Sequence, residues 1–260
     1  MLFYNSFMAD TELNIIGIIP ARMDSSRFPG KPLALILGTP MVGHVYFRSK
    51  MSKTLDEVYI ATCDEEIGKY ADSIGAKWIM TKDTHKRASD RTTEAMKKIE
   101  KETGRKVDIV VMIQGDEPMV SPEMIDMAIK PMLEDDSSVG IVNLMAPIVN
   151  IEEQEDANCP KVAVDKDSFA TNFSRKPISM MKQVCIMPFT REYLIKFNEL
   201  SPTPSEIRES IDMNRFLEHG YKVKIVLENF KTQAVDTSED LKKVEKYMSE
   251  DQLIKNYARN

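Results

Sequence analysis

Residues Leu13–Leu33 read LNIIGIIPARMDSSRFPGKPL, and this stretch decides the fold. Its apolar part, Leu13–Pro20, is short and uninterrupted, which is typical of a strand buried on both faces of a sheet. The polar residues 21–31 follow directly as a loop. Because ligands of open α/β sheets bind beyond the carboxyl ends of the strands, this loop is a candidate binding site.

The chain on either side of this loop alternates apolar runs with segments of helical period. Further strands are predicted at Glu57–Ala61, Lys77–Met80, Asp108–Ile113 and Val139–Met145. Helices are predicted at Met41–Met51 (with Thr39 as N-cap), Glu65–Ile74, Asp90–Glu102 and Pro122–Leu133. This order predicts an α/β fold with a mostly parallel central sheet and helices on both faces.

The second half of the chain has a different pattern, in which short strands follow one another without helices between them. Strands are predicted at Lys161–Val164, Phe169–Phe173, Gln183–Phe189 and Lys222–Leu227, and helices at Glu192–Leu200, Ser205–His219 and from Thr237 onward. Asn150–Asn158 is interpreted as an acidic loop. We expect one domain over residues 1–260, a strand-rich subregion over 147–215, and a disordered leader over 1–12.

Composition excludes several classes of protein. A net charge of −6 argues against an extended nucleic-acid surface, which requires a basic stripe. The three cysteines are scattered and form no CxxC pair, which favours a reducing compartment, so we expect a cytoplasmic protein. The N-terminus is a poor signal peptide, and no apolar run reaches the ~20 residues of a membrane helix, so no membrane insertion is expected.

The first loop has the composition of a triphosphate site. It contains the cations Arg22, Arg27 and Lys31, with Ser25, Ser26 and Gly30 between them. Cations, hydroxyls and backbone N–H groups in a flexible loop bind phosphate oxygens. Neither a Walker A sequence nor GxGxxG is present. On spacing alone, a solvated basic loop is an equally good interpretation.

Two aspartates are candidate metal ligands. Asp116 lies in QGDEP (Gln114–Pro118), directly after the apolar run DIVVMI, and Asp236 lies between an apolar stretch and the start of the last helix. Magnesium prefers one or two carboxylates together with phosphate oxygens. Each aspartate alone is better explained as a polar turn or a helix cap.

Six motifs in one order carry a family resemblance. They are IIPARMDSSRFPGKPL, HKRASDR (His85–Arg91), QGDEP, FSRKPI (Phe173–Ile178), ESIDMNRFLEHG (Glu209–Gly220) and VDTSEDL (Val235–Leu241). Together they resemble the 3-deoxy-manno-octulosonate cytidylyltransferases, the CMP-sugar synthetases of lipopolysaccharide assembly. The resemblance implies a Rossmann-like nucleotide-diphospho-sugar transferase fold and transfer of CMP from CTP to an acidic 2-keto-3-deoxy sugar, with release of pyrophosphate.

The resemblance also implies a role for each motif. It assigns the catalytic residues as Arg22, Lys31, Asp116 and Asp236, of which the two aspartates hold Mg²⁺. It implies nucleotide contacts from Ala21, Arg22, Ser26, Arg27, Lys31, Ser89, Arg91 and Gln114. It implies sugar contacts from Arg175, Gln183, Glu209 and Asp212. It makes residues 147–215 the sugar-binding and dimerisation subregion of a homodimer.

The sugar half departs from the family pattern. A strand that usually reads like HIGIYAY is QVCIMPF here, so Gln183 replaces a histidine, and Met187 and Phe189 replace tyrosines. Asp212 and Met213 replace Glu and Gln of ESLEQLR. Two interpretations follow: drift within one activity, or a different acidic sugar such as an amino-modified octulosonate or another nonulosonate.

Two further functions remain open from the sequence. One is a non-catalytic nucleotide-sugar-binding module, which would be favoured by loss of a phosphate cation or a metal carboxylate. Lys31, Asp116 and Asp236 are all present. The other is transfer to a protein or phosphonate acceptor, which only a screen of nucleotides and acceptors would separate from sugar activation.

Overall fold

The computed structural model describes residues 13–25, 27–134, 139–227 and 229–258. Its strands are β1 Ile15–Ala21, β2 Leu35–Ile36, β3 Thr39–Pro40, β4 Glu57–Thr62, β5 Lys77–Met80, β6 Ile109–Ile113, β7 Val142–Pro147, β8 Lys161–Val164, β9 Ala170–Ser174, β10 Met181–Val184, β11 Ile186–Thr190 and β12 Lys224–Leu227. Its helices are α1 Met41–Ser49, α2 Glu65–Ser73, α3 Ala88–Thr103, α4 Pro122–Leu133, α5 Ile151–Glu155, α6 Arg191–Glu199, α7 Pro204–Glu209, α8 Met213–Glu218 and α9 Ser238–Ser249. Two 3₁₀ turns add Lys31–Leu33 and Gln252–Asn256.

The central sheet confirms the predicted α/β class. Its strand order is β11–β6–β1–β4–β5, in which β6, β1, β4 and β5 are parallel and β11 is antiparallel to β6. All five residues of β6 are buried, as expected for a strand with both faces covered. The carboxyl ends of β1, β5 and β6 therefore lie at one edge, where the loops 21–31, 82–91 and 114–118 begin.

A second sheet is built from the strand-rich half of the chain, in the order β12–β7–β10–β8–β9. The prediction of one strand over Gln183–Phe189 was wrong, because β10 belongs to the second sheet and β11 to the central sheet. The chain changes sheets at Cys185, whose N–H donates to the Glu117 carboxylate at 3.1 Å. The apolar pattern continues through Cys185, so it gives no sign of the change.

Two helix predictions need correction. Thr39 is not an N-cap: it pairs with Ile36 in a hairpin, and α1 starts after Pro40. The single helix predicted over Ser205–His219 is two helices, because Ser210 adopts a left-handed conformation with φ 55°. The acidic segment predicted as a loop contains α5, whose N-terminus is capped by Asn150.

The last helix was predicted correctly, and it is joined to the first loop by packing. The Thr237 hydroxyl accepts from the N–H of Asp240 at 3.2 Å, as in a capping box. A small apolar cluster under α9 joins Val235, Val244 and Met248 to Ile36 and Met41. This packing holds the start of α9 beside the turn Lys31–Leu33.

The helices of the described residues are all too short or too polar to cross a bilayer. The predicted leader, residues 1–12, lies outside the described residues, as does Ser26.

Candidate active site

The loops at the carboxyl ends of β1, β5 and β6 surround a cavity of about 370 Å³, which we call the first cavity. Most of the expected nucleotide and metal residues line it: Ala21, Arg22, Arg27, Lys31, Arg91, Gln114, Asp116 and Asp236. These side chains come from positions more than 200 residues apart in the chain, as the Arg27–Asp236 contact shows. The fold therefore gathers them at the edge where a ligand of such a sheet would bind.

The first loop is closed by backbone geometry that turns its cations inward. The N–H of Gly30 donates to the carbonyl of Met23 at 3.0 Å, and the N–H of Met23 donates to Asp64 at 2.9 Å. Gly30 has φ 73°, a left-handed conformation that glycine adopts without strain. The 3₁₀ turn that follows starts at Lys31 and directs its side chain into the cavity.

The Lys31 ammonium lies between the two aspartates. Its Nζ is 2.6 Å from Oδ2 of Asp116 and 3.4 Å from Oδ1 of Asp236, and it donates to the Val235 carbonyl at 2.9 Å. Burial alone would lower the pKa of Lys31, but the attraction of Asp116 and then of Asp236 outweighs it, so the pKa is raised. The side chain therefore carries its positive charge at neutral pH.

The two carboxylates form a pair suited to a hard divalent cation. Both contact the same ammonium, and the N–H of Val235 donates to the Asp116 carbonyl at 2.9 Å, which fixes the two segments together. Across the described ranges, no group of three or more His, Cys, Asp or Glu side chains is placed to hold a metal. Two carboxylates completed by phosphate oxygens and water are the donor set that magnesium accepts.

The other cations of the first loop differ in their surroundings. Arg27 donates to Oδ1 of Asp236 at 2.7 Å and also contacts Asn158, so it bridges α9 and the segment after α5. Arg22 donates to the carbonyl of His85 at 3.4 Å, which links the first and second loops. The side chain of Arg27 is 47% exposed, so it is accessible to a ligand.

The second loop is divided between two sides of the site. Arg91 is buried, lines the first cavity and contacts the Thr81 hydroxyl. Ser89 is fully buried and its hydroxyl donates to Oδ2 of Asp212 at 2.7 Å, so it lies outside the lining of the first cavity. Ser89 is therefore linked to Asp212, and its expected contact with the nucleotide stays a prediction.

Sequence reasoning missed Arg87, which also lines the first cavity. Its guanidinium donates to Ser210 at 2.7 Å and lies 3.5 Å from Glu206 and 3.6 Å from Asp212. Arg87 thus joins the second loop to α7 and α8. The signal was available, because HKRASDR places this additional cation on a loop already assigned to the site.

A second cavity, also about 370 Å³, adjoins the first and shares Arg27, Gln114, Asp116, Ser210 and Asp236 with it. Three of the expected sugar residues line it: Arg175, Gln183 and Asp212. The shared residues lie at the junction of the two cavities. Two molecules, one in each cavity, would therefore meet next to Asp116 and Asp236.

Arg175 is held in place by the backbone around it. Its Nε donates to the carbonyl of Glu209 at 2.5 Å, and its Nη1 donates to the carbonyl of Ala157 at 2.6 Å. Glu209 lies outside the lining of both cavities, and its carboxylate accepts the Arg175 N–H at 3.0 Å. This hydrogen bond lowers the pKa of Glu209. Glu209 thus positions Arg175 rather than facing a ligand.

The altered strand contributes an apolar wall to the second cavity. Met187 lines the cavity beside Gln183, whose side-chain amide donates to Asn143 at 2.6 Å. Phe189 is fully buried in the main apolar core, so it does not face the cavity. Burial raises the pKa of Asp212, although the Ser89 hydroxyl and Arg87 partly offset this.

Glu117 is a further buried acid at the junction. Burial, and then the neighbouring charge of Asp116, raises its pKa to about 7. Its carboxylate accepts from the N–H of Cys185 and, at 3.3 Å, from the Thr232 hydroxyl. Glu117 therefore fixes the strand change at Cys185 to the QGDEP loop.

Comparison with known proteins shows which family has this arrangement. A family model described as cytidylyltransferase matches residues 16–220. The 3-deoxy-manno-octulosonate cytidylyltransferase of Geobacter metallireducens is 35% identical, with 93% of this chain and 100% of that protein covered. The mitochondrial enzyme of the same description from Arabidopsis thaliana is 37% identical over 91% of this chain and 83% of that protein.

Solved structures agree. A CMP:2-keto-3-deoxy-manno-octonic acid synthetase complexed with CTP superposes with a TM-score of 0.82 at 32% identity, covering 91% of this chain and 98% of that chain. The 4-diphosphocytidyl-2C-methyl-D-erythritol synthase of Anaerococcus prevotii has a TM-score of 0.63 at 14% identity, covering 91% and 96%. The second likeness shows a shared fold alone.

Proposed function

This chain belongs to the 3-deoxy-manno-octulosonate cytidylyltransferase family, and from that premise we propose that it joins CMP from CTP to the anomeric hydroxyl of 3-deoxy-manno-octulosonate or an amino-modified analogue. It is a nucleotidyltransferase. The observation that carries the proposal is the contact of Asp116 and Asp236 with one ammonium, that of Lys31, at the junction of two cavities. A triphosphate in the first cavity and a sugar in the second would meet there.

The nucleotide occupies the first cavity in this proposal. Arg22 and Lys31 bind the phosphates and Arg27 assists them, because all three line the cavity from one loop. The backbone at Ala21 and the Ser26 hydroxyl read cytosine, and Gln114 reaches the ribose. Arg91 supports the loop from its buried contact with Thr81.

Asp116 and Asp236 are the residues that hold Mg²⁺ in this proposal. When bound, the ion supplies positive charge to the phosphate oxygens and lowers the pKa of a coordinated hydroxyl. Lys31 contacts both carboxylates and remains a fixed cation on the wall of the first cavity.

The reaction forms one P–O bond and breaks another. The sugar hydroxyl gives its proton to water and its oxygen attacks the α-phosphorus of CTP. The bond from that phosphorus to the oxygen that bridges to the β-phosphate breaks, so pyrophosphate carries away the electron pair. Both reactants are anions, so the barrier is largely electrostatic, and fixed cations at the site of developing charge lower it. Lys31 and Arg22 supply those cations from the protein.

The sugar occupies the second cavity. Arg175 binds its carboxylate, since a guanidinium matches the two oxygens of a carboxylate and the backbone holds it in place. Gln183 and Asp212 bind hydroxyl or amino groups. Met187 lines this cavity at a position where the family usually has a tyrosine. A thioether cannot donate the hydrogen bond that a tyrosine hydroxyl gives, so the sugar group next to Met187 is expected to differ. This observation favours a modified acidic sugar.

The test is release of pyrophosphate from CTP and Mg²⁺ with a panel of acidic sugars that includes 3-deoxy-manno-octulosonate and its 8-amino analogue. Asp116→Asn is expected to abolish turnover, because it removes a proposed metal ligand and the partner of Lys31. Asp72→Asn is the control: this exposed aspartate of α2 accepts from Trp78 at 2.8 Å, outside both cavities. Full activity of Asp116→Asn would remove its metal role. If CTP binds but no acidic sugar of the panel supports pyrophosphate release, a non-catalytic binding module would be favoured.

A homodimer and a cytoplasmic location complete the proposal. Four apolar side chains are exposed on adjoining segments of the 147–215 subregion: Val149, Ile151, Ile178 and Met180. The N–H of Ile148 donates to the carbonyl of Met180 at 2.9 Å, so these segments form one patch that a second copy would cover. All three cysteines are free, which suits a reducing compartment. A monomer in gel filtration would contradict the dimer.

A further inference from the structure

The last described residues of the chain pack against α1. The ring of Tyr257 stacks on Phe47, with ring centroids 5.4 Å apart and an interplanar angle of 23°. The Arg48 guanidinium also lies over the Tyr257 ring, 5.7 Å from its centroid. The matched family model covers residues 16–220, so Tyr257 lies outside the region that this model matches.

Four side chains here form a hydrogen-bonded group, His44, Arg48, Asp251 and Tyr257, which we call the brace. The Nε of Arg48 donates to the Tyr257 hydroxyl at 2.8 Å, and Nδ1 of His44 is 2.8 Å from the same hydroxyl. The other nitrogen of His44, Nε2, is 2.8 Å from the carbonyl of Ile36. Arg48 also donates to Oδ2 of Asp251 at 2.6 Å.

Chemistry fixes the direction of every proton in this chain of bonds. The Ile36 carbonyl accepts only, so Nε2 of His44 carries the hydrogen and Nδ1 is an acceptor. The Arg48 guanidinium donates only, so the Tyr257 oxygen accepts from it and gives its own hydrogen to Nδ1. His44 must be neutral for this arrangement, and burial lowers its pKa to about 4, in agreement.

The brace is built on two buried residues, His44 and Arg48, and it reaches three segments of the candidate site. Arg48 is 1% exposed and donates to the Val120 carbonyl at 3.4 Å, four residues after Asp116. Through His44 it reaches Ile36, in the hairpin directly after the Lys31 turn. Asp251 follows α9, the helix that begins beside Asp236. One guanidinium and one phenol thus connect the hairpin, the segment after the QGDEP loop and the end of α9, which adjoin the segments that carry Lys31, Asp116 and Asp236.

Packing reinforces the same connections. The N–H of Leu37, in the hairpin, donates to Glu245 of α9 at 3.0 Å. The apolar cluster under α9 includes Ile36 of the hairpin, Met119 directly after the QGDEP loop, Val235 next to Asp236, and Met248 of α9. Because the interior is closely packed, a loosened Tyr257 would shift these supports together.

We propose that the brace is a positioning device, in which Tyr257 and Arg48 hold Lys31, Asp116 and Asp236 at the spacing that binds a nucleoside triphosphate. None of the four brace residues lines either cavity, so they act through the hairpin, the QGDEP loop and α9. The inference rests on the proposed function for the identity of the nucleotide. Whether the brace orders the hairpin and the QGDEP loop can be measured without turnover.

The test uses Tyr257→Phe, which removes one hydroxyl and leaves the aromatic stack. Ser52→Ala is the matched control, because it also removes one hydroxyl, just after the end of α1. The Ser52 hydroxyl donates to Asp126 of α4, and neither residue lines a cavity. We measure amide hydrogen exchange of residues 34–41 and 116–120, the dissociation constant for CTP with Mg²⁺, and the melting temperature of the full-length chain.

The expected result is faster exchange in both segments and CTP binding weaker by about fivefold in Tyr257→Phe, which corresponds to one lost hydrogen bond. The KM of the sugar is expected to stay constant. Ser52→Ala is expected to show neither change. Equal CTP affinity and equal exchange in the two variants would overturn the proposal, even if both melt at lower temperature. If the wild type fails to bind CTP, the proposed function fails, and the exchange comparison alone decides whether the brace orders these segments.

Discussion

The first cavity, proposed for the nucleotide, and the second, proposed for the sugar, are built in different ways; we call them the nucleotide half and the sugar half. The first cavity is lined mostly by three loops that each follow a parallel strand of the central sheet, so contiguous motifs reach it directly. The second cavity is lined by side chains from the second sheet, the segment around α5, and the α7–α8 corner. The first half is therefore specified by local motifs, whereas the second depends on packing between distant elements, and substitutions there change its lining without changing the fold.

The largest expected effect tests the nucleotide half. Lys31→Met should lower kcat by about 10²–10³-fold, because it removes a fixed cation from the site where charge develops. Pyrophosphate release with saturating CTP measures this. Lys53→Met, an exposed residue in the turn after α1, is the control. A loss below about threefold would show that the first loop does not carry the chemistry, and the contrast between the halves would fail.

The next effect concerns the neutral imidazole of His44 in the brace. The pKa of His44 is lowered from 6.5 to about 4, so its neutral form stabilises the fold at and above pH 6.5. This stability is lost as the pH falls from 6.5 toward 4, by about 3 kcal/mol in all. The unfolding free energy of the wild type minus that of His44→Gln should shrink over this range. Other groups, Glu117 included, titrate in both proteins and cancel in the difference.

A pH-independent difference would contradict this expectation. It would mean that the imidazole is not held neutral, and the proton directions given for the brace would then be wrong.

Arg87 offers a way to break the comparison, since it lines the first cavity but donates to Ser210, which both cavities share, and lies 3.6 Å from Asp212 of the second cavity. Arg87→Lys keeps the charge and loses the forked geometry, so the KM of the sugar should rise about tenfold while that of CTP changes little. Steady-state kinetics with each substrate varied in turn measures both. Equal rises in the two KM values would place Arg87 in the nucleotide half instead.

The smallest expected effect tests whether Gln183, in the wall of the second cavity, selects the sugar. Gln183→His restores the residue usual in the resembling family, at a position that lines the second cavity. The ratio of kcat/KM values for 3-deoxy-manno-octulosonate and its 8-amino analogue should shift by about three- to tenfold, with the KM of CTP constant. Competition between the two sugars in one reaction measures this ratio. An unchanged ratio would mean that the Gln183 position does not select the sugar.

The sequence predicts the nucleotide half of the site better than the sugar half. The strands of the central sheet and the charged residues of the first loop were predictable, because each strand is an apolar run bounded by polar residues. Asp236 was predictable only with the family resemblance, since a carboxylate before a helix is usually a cap. Its contact with Lys31 joins residues 205 apart, and no local pattern encodes that distance.

The errors have physical causes. Gln183–Phe189 was predicted as one strand because alternation and hydrophobicity pass through Cys185 unchanged, and only the bond from its N–H to Glu117 shows the break. Ser210 was placed inside a helix because serine carries no strong breaking signal, whereas its left-handed backbone ends α7.

The crossing at Cys185 also bears on how this enzyme could be rebuilt or could diverge. Its N–H bonds to Glu117 and its carbonyl accepts from the N–H of Gln114, so one residue stitches the sugar wall to the QGDEP loop. Both bonds use backbone groups of residue 185, so side-chain exchange at positions 183 and 187 leaves them in place. An insertion or deletion within 183–189 would instead move the crossing away from Glu117 and Gln114. Point substitution is therefore the route by which this wall can change while the crossing is kept.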